Sequence, residues 1–246
     1  GYNLLSGLDD MDYITSQGIN AVIFSLIAFD TTDYSAKTHD ELIAYIVDNM
    51  TGKGWALAGD TADVDLTAMA IQALAPYAAD EKVNAAIDSG LEFLAESLDE
   101  NARYANGSES TSQVLIALAA LGIDPLTDSS FIVDGITLID ALESYATENG
   151  YSHTLGGEEN YMATEQAALA LTAYELSKDG SSLYEMSAKA EPTEPENPDT
   201  PAQPGDSVKP GDCSGKPEDK NDPINPGTGV LVTGGMAVLI LSLIHI

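Results

Sequence analysis

The segment T-A-M-A-I-Q-A-L at residues 67–74 decides the fold, because three other parts of the chain share its pattern. These are N-A-V-I-F-S-L-I at 20–27, T-S-Q-V-L-I-A-L at 111–118 and T-E-Q-A-A-L-A-L at 164–171. The four segments start 47, 44 and 53 residues apart, which is typical of one helical hairpin per repeat. Because such a hairpin cannot bury its apolar face alone, the sequence predicts an all-α fold of about four stacked hairpins.

Helices of a second kind are predicted between the repeats. Residues 38–50, 80–94 and 134–145 each place their apolar side chains on one stripe, whereas the repeat segments are apolar nearly all round. Thr38 and Glu41 have the spacing of a capping box at the start of the first one-sided helix. We therefore expect two concentric layers, an inner ring of buried repeat helices wrapped by an outer ring of amphipathic ones. A superhelical stack of hairpins is the alternative.

Composition divides the chain and excludes several classes of protein. Residues 1–188 carry 31 acidic and five basic residues, and the whole chain has a formal charge of −31, so nucleic acid is excluded as a partner. The single cysteine, Cys213, excludes an internal disulfide, a zinc site built on cysteines and an iron–sulfur cluster. The acidic balance belongs to the predicted folded domain, residues 1–188.

The remaining residues are predicted to form a linker and an anchor. Nine of the 11 prolines lie between residues 189 and 226, so residues 189–224 are predicted to be a disordered Pro-rich linker. In the third region, 225–246, the stretch 230–246 is uncharged and, as a helix, nearly long enough to cross a membrane. Because the chain starts with Gly1 and not Met, we expect it to begin inside a longer protein.

Three blocks of sequence carry a resemblance to a known superfamily. Residues 54–77, 109–125 and 161–174 resemble the prenyltransferase and terpenoid-cyclase alpha-alpha toroid superfamily, above all its surface branch in Gram-positive bacteria. That branch is also similar to the helical domain of transcobalamin and intrinsic factor. The resemblance covers roughly residues 15–178 and implies an alpha-alpha toroid. Since a complete toroid has six hairpins, about four imply an incomplete or open ring.

The resemblance also raises two enzymatic alternatives. Asp63-Val64-Asp65 resembles the start of the Asp-x-Asp-Asp acid motif of terpenoid cyclases, but Leu66 takes the fourth position and the chain is poor in aromatic residues. Protein prenyltransferases of this superfamily bind zinc through an Asp-x-Cys pair, and here Asp65 stands in place of the cysteine, so zinc is not expected. We expect no catalytic residues; a cyclase-like or polysaccharide-active enzyme stays the weaker alternative.

Acidic and hydroxyl side chains recur where the repeat helices are predicted to begin. Carboxylates there cap free N–H groups, which is the simpler interpretation. Gathered at one end of a ring, they would instead form a polar opening for a small ligand or glycan, with a corrinoid suggested by the likeness to transcobalamin. The candidate ligand-binding residues are Trp55, Asp63, Asp65, Thr67, Gln72, Glu109, Thr111, Gln113, Thr164, Glu165 and Gln166.

Several of these residues have an alternative role. Trp55 follows a Gly-Lys-Gly loop and could equally plug the gap between the two layers. A calcium site at Asp60, Asp63 and Asp65 lacks the regular ligand spacing of an EF-hand, and no metal site is predicted. His153 lies in a polar, glycine-bounded loop, where it would be an axial ligand to cobalt only if a corrinoid bound; an exposed histidine more often has no role.

A short motif before the hydrophobic segment predicts where the protein is found. Asn225-Pro226-Gly227-Thr228-Gly229 resembles the Leu-Pro-x-Thr-Gly sorting signal, which a sortase cleaves after threonine to join the protein to peptidoglycan. An ordinary Pro-Gly turn is the alternative. We therefore expect an extracellular protein anchored to the cell wall or membrane. Its predicted function is that of a non-catalytic binding module, with a structural or adhesion scaffold as the alternative.

Overall fold

A computed structural model describes residues 3–184, which belong to a compact unit that runs Gly1–Met186. Helices make up 55% of the described residues, and no strand occurs among them, so the predicted all-α class is confirmed. The α-helices are α1 (Met11–Ser16), α2 (Ile19–Asp30), α3 (His39–Asp48), α4 (Val64–Leu74), α5 (Glu81–Glu96), α6 (Ser108–Ala120), α7 (Leu138–Glu143) and α8 (Tyr161–Ser177). Short 3-10 turns cover Leu5–Gly7, Ala75–Tyr77 and Ser129–Phe131.

The even-numbered helices form one row of neighbours. α4 packs against α2 and α6, and α6 packs against α8, while α3, α5 and α7 each pack on the member of this row that precedes them in the chain. Gln113 and Gln166, each the sixth residue of its helix, are joined by a 3.0 Å hydrogen bond from Nε2 to Oε1. Ala119 and Ala173, near the C-terminal ends of the two helices, also line one cavity, so α6 and α8 run parallel and in register.

Burial separates the last helix of the row from the others. α2 and α6 are buried over almost their whole length and on every face, and α4 is buried on most of its faces, as the sequence predicted. For α8 that prediction is wrong. Only Ala163, Gln166, Ala167, Ala170 and Ala173 are buried in it, while Tyr161 is 85% exposed. These five residues recur every three or four positions, so they form the single stripe of a helix with packed neighbours on one side.

The outer helices are shorter or shifted relative to their sequence patterns. α3 and α5 differ by one or two residues at their ends, which is the usual uncertainty of a helix boundary. α7 lacks the first four residues predicted for it, because Asp134 and Gly135 have φ angles of 51° and 85° and form a tight turn. The Val133 N–H donates to the Ile136 carbonyl across this turn at 3.0 Å. An Asp-Gly pair strongly favours a tight turn, and here that turn takes the place of the first residues of the predicted helix.

The capping box predicted at Thr38 is also wrong. The Thr38 side chain does not cap α3; its hydroxyl donates to Asp9 Oδ1 at 2.9 Å. The same Asp9 oxygen accepts from the backbone N–H groups of Lys37 and Thr38. These bonds lower the pKa of the Asp9 carboxyl although its burial acts to raise it. The Thr38 hydroxyl is thus bonded to a carboxylate 29 positions away in the sequence and is not used to cap α3.

One tryptophan ties the two rows together. Trp55 is fully buried, and its Nε1–H donates to the Ile46 carbonyl of α3 at 2.6 Å. Its ring lies against Gly90 of α5, where a Cβ atom would come within 3.0 Å of both the Trp55 ring and the Ile71 side chain of α4. The absence of a side chain at Gly90 therefore lets α5 approach α4 over the indole.

Candidate functional site

The start of α4 is held by one of the predicted site residues. Asp63 is the N-cap: its Oδ1 accepts from the Leu66 N–H at 2.9 Å, and its own N–H donates to the Trp55 carbonyl at 2.8 Å. This is the capping role that the sequence offered as the simpler interpretation. The cap fixes the direction in which α4 begins and places Asp65 in its first turn.

The loop before α4 is closed by a threonine of the helix. The Thr67 hydroxyl oxygen, predicted as a site residue, accepts from the Trp55 N–H at 3.0 Å and is fully buried. Gly54 packs so closely over this threonine that a Cβ atom would collide with Oγ1. Thr67 therefore holds its own loop and does not face an opening.

The same arrangement recurs before α8. The Thr164 hydroxyl oxygen accepts from the Tyr151 N–H at 2.9 Å, and a Cβ atom on Gly150 would collide with it. Asn160 takes the place of Asp63, since its Oδ1 accepts from the Ala163 N–H at 3.0 Å. We call residues 51–63 and 147–160 the Thr-bridged loops. Their correspondence gives the sequence repeat a structural basis.

α2 and α6 begin differently. Their N-caps are Gly18 and Gly107, with φ angles of 98° and 108°, and neither makes a side-chain cap. Asn20 and Thr111 stand where the bridging threonines stand in the repeat alignment, and Asn20 Oδ1 and Thr111 Oγ1 are buried without a hydrogen-bond partner. The polar side chain at this repeat position is thus satisfied in the second and fourth hairpins and unsatisfied in the first and third.

Glu109, another predicted residue, lies in the first turn of α6 and pairs with a histidine from the next hairpin. Its Oε2 lies 2.8 Å from His153 Nδ1, and the Ser108 hydroxyl donates to the same oxygen at 3.1 Å. The Ser108 N–H also donates to the His153 carbonyl, so the Thr-bridged loop of α8 reaches over the start of α6. Sequence reasoning missed this partnership, because a glycine at 107 does not by itself show that the His153 carbonyl approaches it.

The starts of α4 and α6 place Asp65 within electrostatic range of two further acids. Burial raises the pKa of the half-buried Asp65 carboxyl above its usual range, the charges of Asp63 and Glu109 add to this rise, and the Ser110 hydroxyl opposes part of it. Yet Asp65 Oδ1 and Ser110 Oγ are buried without a geometrically satisfied hydrogen bond. Ser110 itself is fully buried. We call Asp65, Glu109 and Ser110, with Asp63 at their edge, the α4–α6 site.

The predicted glutamines occupy two different places. Gln113 and Gln166 are buried and bond to each other, so they link α6 to α8. Gln72 lies near the far end of α4, beside the half-buried phenol of Tyr184, whose pKa is raised by partial burial. None of the three joins the α4–α6 site.

Glu165 and Trp55 also lie apart from that site. α8 begins at Tyr161, so Glu165 falls in its second turn and not at its start as the sequence suggested, because Asn160 supplies the cap one turn earlier. Trp55 fills the space between the inner and outer helices and has no exposed surface. The site therefore gathers fewer of the predicted residues than the sequence proposed.

A cavity of about 180 Å³ lies at the opposite end of the inner row. Ile27, Ala73, Ala119 and Ala173, from the C-terminal parts of α2, α4, α6 and α8, line it together with residues 181–184. Its volume is below the roughly 300 Å³ at which pockets for drug-sized molecules begin. The cavity is thus too small for a drug-sized molecule.

Within residues 3–184, no group of three or more His, Cys, Asp or Glu side chains is arranged to hold a metal ion. The same residues include no helix that is both long and apolar enough to cross a membrane. The predicted linker, the motif Asn225, Pro226, Gly227, Thr228 and Gly229, and the hydrophobic segment lie outside the described residues.

Comparison with protein-family models, with curated proteins and with solved structures finds no match in any of the three. The architecture, the Thr-bridged loops and the α4–α6 site are accordingly the observations from which a function is to be argued.

Proposed function

We propose that the chain is a non-catalytic binding module whose ligand contacts the α4–α6 site. The observation that carries this proposal is that Asp65 Oδ1 and Ser110 Oγ are buried without a hydrogen bond of good geometry among the described residues, although the Ser110 hydroxyl lies close enough to Asp65 to lower its pKa. More than nine in ten buried polar groups in proteins have a hydrogen-bond partner, since leaving one unmade costs about 1–3 kcal/mol. A partner from outside the chain would recover that energy on binding.

The finer architecture that we propose is an incomplete alpha-alpha toroid of about four hairpins. Its support is the buried inner row α2, α4, α6 and α8, the amphipathic helices outside it, and the parallel register of α6 and α8. The exposed flank of α8 suits a row that further hairpins would continue.

The ligand proposed by likeness to transcobalamin is a corrinoid, and a glycan is the alternative. Either is far larger than the cavity at the opposite end of the row, so it would lie across the rim of the α4–α6 site. Leu57 and Leu155 on the Thr-bridged loops and Tyr161 at the start of α8 are exposed apolar side chains that precede or begin inner helices, and they would contact its uncharged parts.

Calorimetric titration of the full chain with cobinamide, and separately with a chitin oligosaccharide, tests the binding role. We expect binding by one of them that Ser110→Ala weakens and Thr172→Ala leaves unchanged. Thr172 is an exposed residue of α8 whose hydroxyl bonds only to the Ala168 carbonyl, which makes it the matched control. Binding that both variants weaken equally would contradict the assignment to this site.

The second candidate is a scaffold or adhesion module, and the exposed apolar residues favour it. Leu57 and Tyr161 are 55% and 85% exposed, so they would present apolar surface to a partner. Cells that display the chain should lose adherence to a protein or glycan surface when both are changed to serine, while Ser110→Ala leaves adherence intact. Loss through Ser110→Ala alone would favour the small-ligand role.

We further propose that the module is extracellular and attached through its C-terminal region. The support is the order of the Pro-rich linker, the motif at 225–229 and the uncharged segment 230–246 in the sequence. Sortase and peptidoglycan would be the partners, and the membrane would hold the segment during transfer. Thr228→Ala should abolish the release of protein by wall-digesting enzymes, and unchanged release would contradict wall attachment.

A further inference from the structure

We infer that Asp30, His39 and Tyr77 form a binding site for a ferric ion, where the end of α2 meets the start of α3 and the 3-10 turn after α4. This site is separate from the α4–α6 site and does not depend on the ligand proposed there. His39 and Tyr77 lie 9 and 47 positions from Asp30 in the sequence, so no local motif predicts the cluster.

The side-chain atoms of the three residues form a small triangle. The Tyr77 hydroxyl donates to Asp30 Oδ1 at 2.6 Å, and His39 Nε2 lies 2.8 Å from both of these oxygens. Around a small octahedral ion with bonds of about 2.0–2.1 Å, neighbouring ligand atoms are about 2.9 Å apart. The carboxylate, imidazole and phenol atoms thus already have nearly the spacing of one face of such a coordination shell.

The protons at the triangle are too few for its contacts. Three contacts join the three atoms, but only the phenol and, in one tautomer, His39 Nε2 carry a proton there. A cation bound to all three atoms takes the place of these protons: the phenol proton goes to solvent and the imidazole proton to Nδ1. That nitrogen lies 3.6 Å from Asp40 Oδ1, on the side where metal-binding histidines usually have a carboxylate.

Each member of the triangle is held by its own element. Asp30 is the last residue of α2, His39 the first of α3, and Tyr77 the last of the 3-10 turn. The hydrogen bonds between Thr38 and Asp9 fix the backbone immediately before His39. The rings of His39 and Tyr77 also pack edge to face, with their centroids 5.5 Å apart. The three donor atoms are therefore positioned before an ion arrives.

An ion can reach the triangle from solvent. The side chains of Asp30 and His39 are 23% and 30% exposed, and Tyr77 is half-buried. Asp30 lines the 180 Å³ cavity at the end of the inner row. Tyr77 and Asp40 line a second cavity, of about 350 Å³, between α3 and the start of α5. Water can therefore complete the coordination shell.

The donor set favours ferric iron over other common ions. Calcium and magnesium prefer oxygen ligands throughout, and zinc is usually held by thiolate, imidazole and carboxylate. Imidazole suits iron, and tyrosine is a known ligand of haem iron. Phenolate and carboxylate together supply two negative charges to a trivalent ion. Within residues 3–184, neither Asp30 nor Asp40 forms an ion pair with Lys or Arg that would compete with it.

The state of the Tyr77 phenol gives the site a spectroscopic signature. Burial and the neighbouring Asp30 raise the pKa of Tyr77, so the free protein keeps this phenol protonated. A bound metal ion deprotonates its ligand, and ferric phenolate absorbs visible light through charge transfer. A residue with a merely structural role would not produce this colour.

Titration of the full chain with ferric nitrilotriacetate near neutral pH, followed by visible absorbance, tests the site. We expect a charge-transfer band that saturates at one ion per chain. Tyr77→Phe should abolish the band, and Asp30→Asn and His39→Gln should each weaken binding about tenfold or more. Tyr34→Phe is the matched control and should keep the band, because Tyr34 likewise donates to an aspartate, Asp9 Oδ2 at 3.3 Å, but lies outside the site.

Three results would overturn the inference: no band in the wild type, a band that survives in Tyr77→Phe, or equal loss of the band in Tyr34→Phe. The wild-type titration decides even if a variant fails to fold, since a chain that gives no band has no ferric phenolate. The chelator keeps iron from binding to scattered surface carboxylates. Binding of cobinamide or the oligosaccharide is measured separately, so the proposed function stands or falls independently of this result.

Discussion

The second and fourth hairpins differ from the first and third at the point where each inner helix begins. α4 and α8 start with a capping Asp or Asn, and a threonine one turn later bonds to the loop in front of it. α2 and α6 start at a glycine, and the side chain at the threonine position has no partner. The comparison indicates that the side chain at this position stabilises the second and fourth hairpins, whereas in the first and third hairpins it leaves a buried polar atom unsatisfied. Four sets of substitutions test this difference.

The largest effect is expected at the glycine caps. Gly107→Ala should lower the free energy of unfolding by about 3 kcal/mol or more, because φ 108° with ψ −164° is accessible almost only to glycine and the new Cβ would also meet the His153 carbonyl. Gly18→Ala has the same backbone problem without that collision and should cost about 1–3 kcal/mol. Urea unfolding measures both losses in the free energy of unfolding, provided that the m-value of each variant equals that of wild type. A smaller loss for Gly107→Ala than for Gly18→Ala would show that the contact with His153 is not tight.

The next largest effect is expected at the position of the bridging threonine, where the same substitution should destabilise the second hairpin but not the third. Thr67→Val should lower the free energy of unfolding by about 1–3 kcal/mol, because it leaves the buried Trp55 N–H without its acceptor. Thr111→Val removes a hydroxyl that has no partner and should be neutral or stabilising in the absence of ligand. Thermal unfolding of the two isosteric variants provides the measurement. If both variants lose the same stability, the two kinds of hairpin are not distinguished in the way we describe.

Helix capping should give an effect of about 1 kcal/mol. Asp63→Ala and Asn160→Ala each remove a side chain that accepts from the third residue of its helix, and such caps typically contribute about that much. Glu165→Gln, in the second turn of α8, is the matched control and should stay within about 0.5 kcal/mol of wild type. A larger loss of stability for Glu165→Gln than for Asn160→Ala would indicate that Glu165, and not Asn160, stabilises the start of α8.

The smallest expected effect is a change in pH dependence at Asp65. A carboxyl whose pKa is higher in the folded than in the unfolded state binds more protons when folded, so stability falls as the pH rises from the ordinary aspartate pKa through the raised one. Asp65→Asn should remove this decline, and its advantage over wild type should be greater at pH 7 than near pH 4. Parallel stability curves for the two proteins between these pH values would mean that Asp65 is not perturbed.

Much of the fold was predictable because it depends on local patterns. The period of the four alanine-rich segments and the one-sided stripes between them predicted the helices and their alternation. The approach of Asp63, Asp65 and Glu109 followed from their shared position at the helix starts. A pattern of apolar residues does not say how many neighbours a helix has, so the exposure of α8 could not be predicted from its own sequence.

Contacts between hairpins were beyond sequence reasoning. His153 and Glu109 are 44 positions apart, and Thr38 meets Asp9 across 29, so neither spacing has a local signature. Thr67 and Thr164 were predicted as ligand contacts because a hydroxyl at a helix start can serve a loop as well as a ligand. Each Thr-bridged loop has a glycine three positions after its first residue, Gly54 or Gly150, and each glycine leaves room only for the threonine. This close packing shows that the hydroxyl bonds to the loop and not to a ligand, but it is known only from the structure.

The small size of Gly90 has a further consequence, for how the chain selects one arrangement among similar ones. A one-turn slide of α5 along α4 would present Ala86 or Leu94 to the indole in place of Gly90, and either would collide with it. Repetitive alanine-rich helices are otherwise prone to settle in shifted alignments of nearly equal energy. The absence of a side chain at Gly90 thus favours the observed alignment of α5 over those shifted by one turn.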